Sequence, residues 1–187
     1  MREKTHIGAI VGKRGTGKTT YGLELLNASA QPKKLIIDTF DHPSYRHIPI
    51  LFLSEKNLRI WKKGTYRIVC NAEQMESCLS LLKEHLTNAF LLCEDAAKYL
   101  KSNLQPDVVS LFIDSKQKNI DVFLMFHEWG FVPPSVYRFC DSITVFKTKT
   151  SPVTRKNKIP PYQLVQDAWD RVVKDPSPYA REIVMTE

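Results

Sequence analysis

Short apolar runs alternate with amphipathic stretches along this chain. Ile7–Val11, Leu35–Ile37, Tyr66–Cys70, Phe90–Cys93, Ile120–Phe126 and Ser142–Phe146 have the length and continuity of strands buried on both faces. Between them the period changes to that of a helix. Thr20–Leu26 sets Tyr21, Leu23 and Leu26 on one side, and Glu73–Thr87 sets Met75, Cys78, Leu79, Leu82 and Leu86 in a stripe. Leu58, Ile60 and Trp61 form a short helical piece closed by Lys62-Lys63-Gly64. Gln105-Pro106-Asp107 opens a further helix with Val108, Val109, Phe112 and Ile113 directed inward. Tyr162–Lys174 carries Leu164, Val165, Ala168, Trp169 and Val172, and Ile183–Met185 reads as an edge strand beyond Pro176 and Pro178. Strands alternating with helices predict an α/β fold, a mostly parallel sheet with helices on both faces. One domain over residues 1–187 is expected, with a core at about 6–149 and the last helix and strand in 150–187.

The glycines mark where chemistry enters. Gly12-Lys13-Arg14-Gly15-Thr16-Gly17-Lys18-Thr19 fits G-x-x-x-x-G-K-[ST], placed between the first strand and the first helix. In such a loop, glycines let backbone N–H groups turn toward phosphate oxygens, and the helix start aims its positive end at the same anion. Lys18 would reach the β- and γ-phosphates of a nucleoside triphosphate, and the Thr19 hydroxyl would ligate Mg²⁺. Gly12, Lys13, Arg14, Gly15, Thr16, Gly17, Lys18, Thr19 and Thr20 are thus the candidate nucleotide-binding residues.

A second signal lies downstream. Phe90-Leu91-Leu92-Cys93 runs into Glu94-Asp95, an apolar strand delivering two adjacent carboxylates. A Walker B strand supplies one carboxylate to the Mg²⁺ shell and another to the water that attacks the γ-phosphate. An acidic helix start would look the same. Asp38-Thr39-Phe40-Asp41-His42-Pro43 follows the second strand, where its acids could serve the nucleotide, a neighbouring subunit or turn chemistry.

Charge and cysteine usage narrow the setting. The formal net charge is +7, and no acid occurs from Ser142 to Gln166 while Lys147, Lys149, Arg155, Lys156 and Lys158 do. That stretch is either a candidate DNA contact or a solvated basic loop. Cys70, Cys78, Cys93 and Cys140 are scattered without a C-x-x-C pair, as expected of reduced, buried thiols. No apolar run is long enough to span a bilayer, and Ile7–Gly12 is too short for a signal-peptide core, so a cytoplasmic setting is expected.

Gly12–Thr19, Leu91-Leu92-Cys93-Glu94-Asp95-Ala96, Val122–His127 and Phe139–Phe146 together resemble the FtsK–HerA type of P-loop ATPases, over about Ile7 to Lys149. That group includes DNA-pumping motors, viral genome-packaging ATPases and zonula-occludens-toxin-like phage proteins. The resemblance implies the P-loop NTPase fold of the additional-strand catalytic-acid type, with ATP and Mg²⁺ as ligands. It implies Glu94 as the Mg²⁺-associated acid and Asp95 as the water-activating one, although the family more often has Asp before Glu. His127 takes the polar sensor position, commonly Gln; a histidine merely satisfied at a strand end is the plainer alternative. Lys18, Glu94, Asp95 and His127 are then the candidate catalytic residues, with Thr19 and Glu94 toward the metal. Where the family usually has a finger arginine, this chain has Lys116 and Lys118, so Arg138 is an alternative source. The resemblance implies a homo-oligomer, commonly a hexameric ring, that hydrolyses ATP to move or package DNA. A small-molecule kinase built on the same loop, or a weakly hydrolysing nucleotide-dependent switch, are the other readings.

Overall fold

The computed structural model describes residues 5–71 and 73–186. Seven strands form one sheet: β1 (Ile7–Val11), β2 (Lys33–Asp38), β3 (Gly64–Val69), β4 (Ala89–Cys93), β5 (Ile120–Phe126), β6 (Ser142–Phe146) and β7 (Arg181–Met185). Their order is β3-β2-β4-β5-β1-β6-β7. All pairs are parallel except β6–β7, where the C-terminal strand returns antiparallel along the edge. The predicted edge strand is therefore present and two residues longer than Ile183–Met185.

The order answers where the carboxylates lie relative to the glycine loop. β5 is inserted between β1, which feeds the loop, and β4, which feeds Glu94 and Asp95. This is the additional-strand arrangement expected from the sequence.

Among the described residues six α-helices accompany the sheet: α1 (Lys18–Ala28), α2 (Glu55–Ile60), α3 (Met75–His85), α4 (Pro106–Lys118), α5 (Val136–Phe139) and α6 (Tyr162–Lys174). Successive strand residues point to opposite faces, so the sheet feeds two cores. Ala9, Val11, Leu35, Ile37, Leu91, Val122, Leu124, Ile143 and Val145 pack with side chains of α2 to α6. Ile10, Ile36, Leu92, Phe123, Met125 and Phe146 pack with Tyr21 and Leu26 of α1 and with Tyr45 and Ile48 from the loop after β2. Among the described residues α-helices thus lie on both faces, five on one and α1 on the other. The second face is completed by the 38–48 loop, which gives that loop a fixed place in the core.

Two expectations about helix faces change. On α4 the buried set is Val108, Leu111, Phe112 and Ser115, while Ile113 is exposed. On α6 the set is Val165, Ala168 and Val172, while Leu164 is exposed. Each outlier sits next to a core position, about 100° around the helix, and the narrow stripe against the sheet excludes it. On α2, Leu58 is buried but Ile60 is exposed. Trp61, just past that helix, packs edge-on against Tyr66 as a core residue. The four cysteines are free and buried, as expected.

Candidate functional site

The carboxyl ends of the parallel strands converge on one cleft of about 640 Å³. Backbone bonds fix its floor: Gly12 N donates to Phe126 O (3.1 Å), Lys13 N to Lys147 O (2.8 Å), and Glu94 N to Ile37 O (3.1 Å). The cleft wall includes Arg14, Gly15, Gly17, Lys18, Thr19, Thr20, Glu94, Asp95 and His127. All three predicted stretches therefore meet there.

Gly12, Lys13 and Thr16 build the loop from below. A Cβ on Gly12 would lie 2.4 Å from Phe146 Cβ, so no side chain fits between loop and sheet. The Thr16 hydroxyl and Lys18 Nζ both donate to Lys13 O, at 2.8 and 2.9 Å, closing the loop on itself. Gly17 precedes α1 with φ 87°, a left-handed conformation that a side chain would strain. α1 begins at Lys18 without a side-chain cap, so its first N–H groups are available to an anion in the cleft.

Lys18 is buried, and burial lowers its pKa against the opposing pull of Glu94 and Asp95. Its ammonium also donates to His127 Nδ1 at 3.3 Å. With Nδ1 accepting, the imidazole proton lies on Nε2, which donates to Asp95 Oδ1 at 2.5 Å. Asp95 stands at φ 44°, ψ 46°, the left-handed turn that swings its carboxylate away from Glu94 and toward His127. Lys98, one helical turn on, reaches Asp95 Oδ2 at 3.1 Å. Glu94 faces the other way: its Oε1 accepts from the Thr19 hydroxyl at 3.1 Å and from the Tyr45 hydroxyl.

The two adjacent carboxylates therefore have different neighbours. Asp95 is held down to about 2 from 3.8, chiefly by the His127 bond, with Lys98 assisting against the desolvation that opposes it. Such a group stabilises the fold above its unfolded pKa and stops doing so as pH falls through its folded value. The shift corresponds to on the order of 2 kcal/mol. Urea melts of wild type and Asp95→Asn should differ by about that much at pH 6 and converge as pH falls from about 4 toward 2. A difference that persists unchanged at the acid end would contradict this pairing.

Thr19 and Glu94 offer a hydroxyl and a carboxylate on the same wall, the hard oxygen donors that Mg²⁺ takes alongside phosphate and water. Among the described residues no group of three His, Cys, Asp or Glu could hold a metal by itself. A site completed by a nucleotide's own oxygens fits this donor set.

Several cleft residues were not read from the sequence as site residues. Phe40, His42 and Pro43 close one end, and Tyr179 closes the other. Tyr179 leans on the glycine loop, 3.2 Å from where a Gly17 Cβ would be, with its ring largely exposed. The acids beside Phe40 serve the loop itself. Asp38 is buried on Arg67 (3.1 Å) and accepts from Phe40 N and His42 N, and Asp41 also binds Arg67 (2.5 Å). Within this chain these acids serve the turn and the Arg67 ion pair.

The basic stretch begins next to the cleft and is tied down there. Glu128 accepts from Lys149 N (2.8 Å) and Thr150 N, Lys147 Nζ donates to Asp175 O, and Arg155 donates to Gly130 O. Lys149, Lys156 and Lys158 remain exposed. Lys116 and Lys118 end α4, which precedes β5, and so lie at the opposite end of the sheet from the cleft. Arg138 is exposed on α5. Of these three, none lines the cleft; Arg14 does.

Solved structures share this architecture. The genome-packaging NTPase B204 from Sulfolobus turreted icosahedral virus 2, in complex with sulfate, matches over 97% of this chain and 92% of its own, at TM-score 0.76 and 18% identity. The fold is that of the P-loop NTPases. The same viral NTPase in complex with AMPPCP matches at TM-score 0.75 and 18% identity over the same shares. The N-terminal domain of zonular occludens toxin from Neisseria meningitidis matches over 99% of this chain and 96% of its own, at TM-score 0.54 and 12% identity. These neighbours come from the packaging and toxin-like branch that the sequence resembles. No family model matches the chain, and no curated protein matches it in sequence. No helix among the described residues is long and apolar enough to cross a membrane.

Proposed function

We propose that this chain is a Mg²⁺-dependent ATPase of the FtsK–HerA type that couples ATP hydrolysis to DNA movement during packaging or assembly. The observation that carries the reading is the split of the adjacent acids across one cleft: Glu94 beside Thr19, Asp95 beside His127, with Lys18 between them. The viral neighbours are packaging NTPases, one of them in complex with ATP-γS, which supports ATP as the ligand here.

The triphosphate lies along Gly15–Thr19, its terminal group toward Glu94 and Asp95. Loop N–H groups and the α1 N-terminus hold the phosphates, and Lys18 offsets charge on the transferring group. Thr19 and Glu94 would hold Mg²⁺, which when bound would supply charge neutralisation to the phosphate oxygens. Asp95 accepts a hydrogen bond from the attacking water and aligns it. At about 2 its carboxyl is a poor proton acceptor, which suits a loose transition state that asks little activation of the nucleophile. His127 holds Asp95 in that orientation and contacts the terminal phosphate side of the cleft. The base extends toward Tyr179, which precedes the edge strand β7, on the other side of β1 from Glu94. A homo-oligomer, with an arginine supplied by a neighbour, completes the charge balance.

The experiment is phosphate release from ATP with no acceptor present, with and without DNA of varied length and strandedness. The expected result is release that DNA stimulates. Lys149→Ala/Lys156→Ala/Lys158→Ala should keep basal release and lose the stimulation, with a shallower salt dependence of DNA binding. Release indifferent to every DNA tested would favour a switch, and phosphate transfer only to an added acceptor would favour a kinase.

A further inference from the structure

The loop after β2 lines the cleft with Phe40, His42 and Pro43, and from beneath it makes one further bond to a carboxylate of the site. Tyr45 is completely buried beneath α1, in the smaller of the two cores, yet its hydroxyl comes out against Glu94. It donates to Oε1, the same oxygen that accepts from Thr19 at 3.1 Å. Two donors from different elements thus converge on one oxygen and leave Oε2 without either. We propose that Tyr45 is the positioning residue for Glu94, fixing the carboxylate rotamer that presents an oxygen to the metal of a metal–nucleotide complex. This rests on the reading of Glu94 as the Mg²⁺-associated acid.

The segment carrying Tyr45 is built to hold that hydroxyl still. It lies on a short turn, Pro43–Tyr45, whose backbone is closed by Tyr45 N to His42 O (2.9 Å) and Ile48 N to Tyr45 O (2.8 Å). Arg67, buried on β3, clamps both flanks: its Nη1 bonds Asp38 and Asp41 before the turn, and its Nε donates to Ile48 O (3.0 Å) after it. A carboxylate that must ligate a metal in one orientation gains from such an outer partner, and losing one commonly costs roughly 10–100-fold in metal affinity.

Tyr45→Phe keeps the ring and removes only the hydroxyl. The readout is binding of a fluorescent, non-hydrolysable ATP analogue, measured in EDTA and across a Mg²⁺ titration, alongside thermal melts without nucleotide. Affinity in EDTA should stay within about twofold of wild type while the Mg²⁺ midpoint rises about tenfold or more. Glu94→Gln, run in parallel, should raise the midpoint at least as far. If Glu94→Gln shifts the midpoint and Tyr45→Phe does not, the positioning role is overturned and the metal assignment survives. If Glu94→Gln shifts nothing, the metal assignment fails and the proposal with it. Equal loss of binding in EDTA and in Mg²⁺ for Tyr45→Phe would mark a merely structural tyrosine. Should Tyr45→Phe not fold, Asp41→Asn loosens the Arg67 clamp from a half-exposed position without touching the core. It should raise the midpoint severalfold, and an unchanged midpoint would overturn the proposal.

Discussion

Asp95→Asn should bind ATP with wild-type affinity and lose hydrolysis by about 100-fold or more, the range set by removing a group that positions or deprotonates a nucleophile. The side chain keeps its size, and an amide oxygen can still accept from His127 Nε2, so the fold around the turn has no reason to move. What disappears is the charge that His127 and Lys98 now hold at low pKa. Single-turnover phosphate release and a separate binding isotherm distinguish the two effects. Because the carboxylate is so weak a base, the loss should be flat across neutral pH instead of growing toward acid. Retained hydrolysis would remove Asp95 from the water side of the cleft.

Lys18→Ala should have the opposite signature, weakening nucleotide binding itself. A charge-assisted bond is worth roughly 1.5–3 kcal/mol, which is about 10–100-fold in Kd. The free protein should nevertheless remain as stable as wild type, or nearly so. Burial is the largest influence on the Lys18 ammonium and acts against its charge, with Glu94 and Asp95 only partly offsetting it. Removing such a group relieves desolvation as it forfeits attraction. A melting temperature within a few degrees of wild type, with nucleotide-induced stabilisation needing about 10–100-fold more nucleotide, is the expected pair of results. Collapse of the free protein would show that the lysine serves folding before it serves phosphate.

The strands and the glycine loop were legible because their signals are local. A buried parallel strand writes itself as a continuous apolar run, and the loop's motif states its own neighbours. Glu94 and Asp95 could be paired with that motif by spacing and character. What their neighbours do could not, because those bonds join residues far apart in the chain. Tyr45 lies 49 positions from Glu94, and His127 lies 109 from Lys18. Nothing in the run Pro43-Ser44-Tyr45 distinguishes a tyrosine aimed at a carboxylate from one on a surface turn. Tyr179 reads as a loop residue between Pro178 and β7 until the antiparallel return brings it onto Gly17. Leu164 and Ile113 failed for a simpler reason: a periodic stripe predicts which helix face is apolar more securely than how wide the sheet allows it to be. The acid-free stretch from Ser142 to Gln166 also looked freer than it is, because Glu128 and the Asp175 carbonyl arrive from elsewhere to bind it.

The most direct measurement is a crystal structure of this protein grown with Mg²⁺ and a non-hydrolysable ATP analogue. The terminal phosphate should lie against Lys18 Nζ, the metal at about 2.0–2.1 Å from Thr19 Oγ1, and Asp95 and His127 should face the free side of the γ-phosphorus. A triphosphate running the other way, with its terminal group toward Tyr179 and no carboxylate within reach, would contradict this placement.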